Sequence, residues 1–339
     1  MHPLAVELNE ALSGTIVDSM LSDIGRRIFF PKGIVAQAAE AGSQAKRFNA
    51  TVGMSTSGGQ PMHLSDIYNK FDTASFKPAD IFAYAPGGGD PRLRAMWKEE
   101  MIKKNPSLEG KRFSLPIVTA GLTHGLSIIA MLFFQPGDTL VVPDLAWDNY
   151  ELIYVHQQGG EMVSFPLYDE TGAFNVEAMV ATLRAIPSKR ARLLLNFPNN
   201  PTGYTPTKGD AQAIVDALVT LADEGMELMV ISDDAYFGLF FEEETAKESL
   251  FSALCDAHKN IFAVKCDGAT KEELVWGFRI GFVTYGSKEL TDAHLDALNR
   301  RTLGIIRSTV SNCDKPGQSL LVEAMQNGKR YAADKQAVF

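Results

Sequence analysis

Cysteine is scarce in this chain. Its 339 residues hold three, Cys255, Cys266 and Cys313, an odd number without metal-ligand spacing. That pattern points to neither a disulfide framework nor a zinc site and fits a reducing cytoplasm. Long apolar runs are missing too: the longest, IIAMLFF at 128–134, is far short of the roughly 20 residues a bilayer span requires and reads as a buried helix. The N-terminus, MHPLAVELNEALSG, carries acidic residues and no uninterrupted apolar core, so it does not read as a signal peptide. Positive charge is not in excess. A formal net charge of −9 gives no basic field for nucleic acid or an anionic membrane, and residues 1–50 show no basic helix-turn-helix pattern. Nor does the chain carry a P-loop lysine or the full glycine pattern of a dinucleotide fold. What remains, 45% hydrophobic and 22% charged residues, is the composition of an ordinary soluble globular protein of one large or two ordinary domains acting on a small substrate.

Between residues 113 and 285 short β-rich runs alternate with helical patterns. The runs are LPIVTA, DTLVVPD, EMVSFPL, ARLLLNF, MELMVISD, NIFAVKC and RIGFVTYG, and segments such as GDAQAIVDALVTLADEG lie between most of them. Near-continuous apolar strands joined by helices predict an α/β fold, a mostly parallel seven-stranded sheet with helices on both faces. Such sheets bind ligands at the carboxyl ends of their strands.

Those strand ends carry unusual residues. After LPIVTA, Gly121 and Thr123 open a helix, whose free N–H groups suit a phosphate, although such a turn is commonly no more than a turn. After DTLVVPD comes Trp147, an indole that packs at a rim or stacks on a flat heterocycle. PNNPTGYTPT after ARLLLNF is a loop. After MELMVIS come Asp233 and Asp234, and an acid at the end of a buried strand is costly unless paired, so one of them is expected to meet a cation. In TKEELVWGFRIG, Lys271 and Arg279 stand among apolar residues, where the plain reading is two solvated cations.

Taken together, from about Tyr84 to Ser311, the chain resembles the aspartate-aminotransferase-like, fold-type I enzymes that use pyridoxal phosphate. NPTG at Asn200–Gly203, D-x-A-Y at Asp233, Ala235 and Tyr236, and K-x7-R-x-G at Lys271, Arg279 and Gly281 occur in that family's order. The resemblance implies roles. Lys271 would be the Schiff-base lysine and proton shuttle, and Asp233 would keep the pyridine nitrogen protonated. Asn200 and Tyr236 would bond the phenolic oxygen, and Trp147 would stack on the ring. Arg279 would hold the phosphate, helped by the N–H groups of Leu122 and Thr123 and by Thr270, and Gly121 and Gly268 would belong to the same cofactor site. Lys265 lacks the arginine spacing and is read as ordinary packing or surface.

FAYAPGGGDP resembles the segment whose tyrosine, here Tyr84, reaches the phosphate of the neighbouring subunit. IIRSTVSN resembles the one whose arginine, here Arg307, binds an acidic side chain across a homodimer, although a helix with Arg300, Arg301 and Arg307 also reads as solvated. TVGMSTSGGQP at Gly53 resembles the substrate cover with altered spacing. The chain stops short of where family members usually finish, so most of the small domain is expected to be missing, and no residue matches the arginine that clamps the substrate α-carboxylate in relatives. The expected organisation is residues 1–50 as an arm of the small domain, 51–311 as the large cofactor-binding domain and 312–339 as the start of the C-terminal small domain. The implied activity is amino transfer between an acidic amino acid and a 2-oxo acid. A lyase, a β-decarboxylase or a non-catalytic pyridoxal-phosphate-binding domain remains open, since these motifs do not fix which Cα bond breaks.

Overall fold

The computed structural model describes residues 1–29, 34–46, 51 and 54–338. At its centre is a seven-stranded sheet. The strands are β1 (Ile117–Thr119), β2 (Thr139–Pro143), β3 (Glu161–Phe165), β4 (Arg190–Asn196), β5 (Glu227–Asp233), β6 (Ile261–Gly268) and β7 (Gly281–Gly286), in spatial order β1-β7-β6-β5-β4-β2-β3. All seven runs picked out in the sequence are strands. Five pair in parallel from β3 across to β6, while β7 runs antiparallel to both β6 and β1.

Successive residues on a strand face opposite ways. In β4 and β5, Leu193, Leu194, Leu195, Val230 and Ile231 are all buried, so both faces of the sheet are covered. Helices α1 (Pro91–Lys104), α2 (Leu122–Phe133), α3 (Lys208–Asp223), α4 (Ala269–Glu272), α5 (Asp292–Thr309), α6 (Lys315–Gln326) and α7 (Gly328–Val338) are the ones that bear on the site. IIAMLFF closes α2, where Ile128, Ile129 and Ala130 are fully buried, as its apolar run predicts. Asp90 caps α1 and Thr207 caps α3, each through a side-chain oxygen that accepts a backbone N–H of the first turn. Among the described residues no helix is long and apolar enough to cross a membrane.

Register brings the polar strand ends together. Asn196 lies opposite Asp233, Asp233 opposite Cys266, and Gly281 between Gly268 and Thr119. The carboxyl ends of β1, β4, β5 and β6 and the start of β7 therefore share one edge of the sheet.

Candidate active site

A cavity of ≈ 220 Å³ opens at that edge, lined by Leu122, Thr123, Trp147, Tyr150, Asn196, Asn200, Asp233, Ala235, Tyr236, Thr270, Lys271 and Arg279. Ten of the residues singled out in the sequence stand together in that lining. Gly121 and Gly268 shape the backbone beside it. Tyr84 is 90% exposed elsewhere on the molecule, Arg307 is exposed and donates to Ser311 Oγ, and Gly53 lies outside the described residues.

The floor of the cavity is a hydrogen-bonded stack of strand ends. Asn196 donates from Nδ2 to the Asp233 carbonyl at 2.7 Å, and its Oδ1 accepts the Asn200 N–H at 2.7 Å. One buried amide thus ties β5 to the NPTG loop. The Asp233 carboxylate accepts from Tyr150 Oη at 2.6 Å through Oδ2 and from the Ala235 N–H at 3.1 Å through Oδ1. Burial raises its carboxyl to about 6, against the lowering pull of the Tyr150 hydrogen bond and of Lys271. Trp147 stands edge-on to Tyr150, with ring centroids 5.5 Å apart at 87°.

Lys271 Nζ is 4.9 Å from the centroid of the Tyr236 ring. Burial lowers its amine below the ordinary lysine value and Arg279 adds to the lowering, while Asp233 opposes both. A larger neutral fraction suits attack on a carbonyl. Beside it the Thr270 hydroxyl is buried and has no hydrogen-bond partner, the mark of a polar group waiting for a ligand.

Close backbone approach sets the phosphate-like end. Gly121 caps α2 at φ 83°, and a Cβ there would lie 2.6 Å from Arg279 Nη2. Arg279 itself adopts the left-handed region at φ 55° and ψ 52°, an uncommon conformation for a residue with a side chain. At Gly281 a Cβ would lie 2.7 Å from the Gly121 carbonyl carbon. The first N–H groups of α2, at Leu122 and Thr123, have no intrahelical acceptors and face the same end as Arg279.

One expectation is corrected. Lys265 is neither ordinary packing nor surface: its side chain is 1% exposed and paired with Asp234, with Asp267 Oδ2 at 3.5 Å. Trp97 Nε1 and Ser249 Oγ donate to the same two carboxylates, at 3.2 and 2.6 Å. The acid that meets a protein cation is Asp234, which leaves Asp233 to the cavity. Tyr150 and Asn196 are the lining residues that the motifs did not mark.

The sequence matches the family described as aminotransferase class I and II over residues 77–337, most of the chain. The chain belongs to that family. Aminotransferases of this class use pyridoxal phosphate. The chain is 31% identical over 222 residues to a probable aspartate/prephenate aminotransferase of Aquifex aeolicus, covering 63% of this chain and 53% of that protein. It is 30% identical over 219 residues to the aspartate/prephenate aminotransferase of Thermus thermophilus, covering 65% and 52%. The chain therefore spans about half the length of the curated relatives it matches. Among solved structures, an aminotransferase from Anaerococcus prevotii superposes with a TM-score of 0.80 at 21% identity, over 94% of this chain and 78% of that one. The Thermus thermophilus aspartate aminotransferase with maleate superposes at 0.70 and 22% identity, over 94% and 75%. The fold is the aminotransferase fold.

The cavity's residues suit the family's cofactor. Two cations, a buried acid, an unpartnered hydroxyl and a helix N-terminus make a donor set for a molecule with an aldehyde, a basic ring nitrogen and a phosphate.

Proposed function

We propose that the protein is a pyridoxal-phosphate-dependent aminotransferase that exchanges an amino group between an amino acid, acidic in preference, and a 2-oxo acid. The observation that carries this reading is the meeting of Lys271, Asp233 and Arg279 in one cavity. The aminotransferase relatives support it.

In this reading Lys271 holds the cofactor covalently, and its released amine moves the proton at the substrate's α-carbon. Asp233 keeps a proton on the ring nitrogen, and Tyr150 and the Ala235 N–H fix the carboxylate that does so. Asn200 and Tyr236 hydrogen-bond the phenolic oxygen, and Trp147 covers a ring face and excludes water. Arg279, Thr270 and the N–H groups of Leu122 and Thr123 hold the phosphate, with Gly121 and Gly268 leaving room for the backbone to come close. When bound, pyridoxal phosphate supplies the electron sink for the charge left at the α-carbon.

The acting form in this proposal is a cytoplasmic homodimer, consistent with three free, buried cysteines. In it Tyr84 reaches the neighbouring phosphate, Arg307 binds a distal carboxylate and Gly53 lies in the substrate cover. Residues 1–50 serve as an arm, 51–311 as the cofactor domain and 312–339 as the start of a second domain.

The test follows amino transfer from ¹⁵N-labelled aspartate to a 2-oxo acid. The protein transfers label and Lys271→Ala does not, while Arg307→Ala lowers kcat/KM for acidic donors roughly 10²-fold more than for alanine, the scale of a two-pronged charged clamp. Release of carbon dioxide or ammonia in place of transferred label refutes amino transfer, and equal losses for both donors refute the clamp.

A further inference from the structure

The turn that carries Lys271 is tied from behind. Glu272 and Glu273, the next two residues, are 9% and 1% exposed, and neither lines the cavity. Two buried carboxylates side by side are costly unless cations and hydrogen bonds match them. Two lysines from distant parts of the chain do so. Lys104, in the last turn of α1, pairs with Glu272. Lys335, on α7, places Nζ 3.3 Å from Glu272 Oε1 and 2.8 Å from Glu273 Oε1. Burial works to raise the Glu272 carboxyl, but Lys104 and Lys335 outweigh it and hold the group down at about 2.

Helix α7 is fastened independently at another point. Arg330 Nε lies 2.9 Å from Asp66 Oδ1, and Asp334 Oδ2 accepts the Asp66 N–H at 2.7 Å. The turn itself is one hydrogen-bonded unit, in which Glu273 N donates to the Ala269 carbonyl at 2.9 Å and Leu274 N to the Lys271 carbonyl at 3.2 Å. Holding the two glutamates therefore holds the backbone from which the Lys271 side chain leaves. Lys104, Glu272, Glu273 and Lys335 all stand outside the cavity lining, so the network bears on the site through the geometry of the turn.

We propose that Lys335, with Lys104, positions Lys271: by gripping Glu272 and Glu273 from the side away from the cavity, the docked helix α7 sets the orientation of the amine that meets the cofactor. The proposal rests on the reading of Lys271 as the cofactor-holding residue, and its test separates the two. Attachment exchanges the cofactor's aldehyde oxygen for Lys271 Nζ with release of one water, so pyridoxal phosphate affinity contains that bond only where Lys271 is present.

The dissociation constant of pyridoxal phosphate is measured by equilibrium dialysis for the unaltered protein, Lys335→Met, Lys271→Ala and the double variant. Neighbours in one ion-pair network couple, and the expected result is about tenfold weaker binding from Lys335→Met with Lys271 present and less than about twofold in the Lys271→Ala background. Lys335→Arg restores affinity, and Lys104→Met repeats the pattern without touching α7. Equal weakening in both backgrounds, or none in either, overturns the positioning role while leaving the site reading intact. If borohydride reduction of the unaltered protein attaches no cofactor to Lys271, the site reading falls and this inference falls with it.

Discussion

Asp233 carries its charge at a cost. Its carboxyl is raised from the usual aspartate value of 3.8 to about 6 by burial, so between those values the folded chain holds a proton that the unfolded chain has released. This contribution to stability is present below pH 4 and is lost as pH rises through about 6, amounting to about 3 kcal/mol. Without cofactor, Asp233→Asn is therefore expected to be more stable than the unaltered chain at pH 7.5, with the advantage gone at pH 4, as read by urea unfolding at both. Tyr150→Phe removes a hydrogen bond that lowers the same carboxyl, so its loss of stability begins at the same pH, set by the unfolded chain, and continues to higher pH. An advantage of Asp233→Asn that does not change with pH would contradict the assignment. Asp233, Tyr236, Asn200, Lys271 and Arg279 were legible in the sequence because motif spacing marks them. Tyr150 was not, since its contact with Asp233 spans 83 residues and only the fold creates it. Asn196 left a signal in hindsight, as the polar end of the apolar strand ARLLLN. Lys265 misled for the same reason as Tyr150: its partner Asp234 sits just past the end of the neighbouring strand, and only the fold brings them together.

At the scale of elements, the proposed phosphate end depends on the close approach of Gly281 to the backbone of Gly121 and Leu122 and of Gly121 to the Arg279 side chain. A side chain at Gly121 meets the guanidinium of Arg279, the movable end of a flexible side chain, whereas one at Gly281 meets the backbone of Gly121 and Leu122. Gly121→Ala is thus expected to fold, at a cost of about 1 kcal/mol for a non-glycine residue at positive φ, while pushing Arg279 aside. The measurement is the ratio of affinities for pyridoxal phosphate and for pyridoxal, which lacks the phosphate. The ratio falls in Gly121→Ala if Arg279 holds the phosphate and stays unchanged if it does not. The sequence predicted every strand of the sheet, yet the antiparallel course of β7 was not visible in its pattern. Its apolar run reads like its neighbours' because burial on both faces leaves no alternation to distinguish direction. The cause lies in the connection: Ala269–Ile280 spends its length on one helical turn and a 3₁₀ turn at the same edge, so the chain runs straight back.

For the whole molecule, the proposed function requires that the cofactor aldehyde meet one particular lysine. Lys265 and Lys271 both stand near the active-site end of the sheet, and their surroundings separate them. Lys265 is sealed among Asp234, Asp267 and Phe237, where burial works to lower its amine but the two carboxylates outweigh it and keep the group raised and protonated. Lys271 reaches the cavity with its amine lowered. The most direct measurement is borohydride reduction of the protein reconstituted with pyridoxal phosphate, followed by peptide mapping of the reduced label by mass spectrometry. The account predicts one labelled site per chain, at Lys271. Label on Lys265, or none after reconstitution, would contradict it.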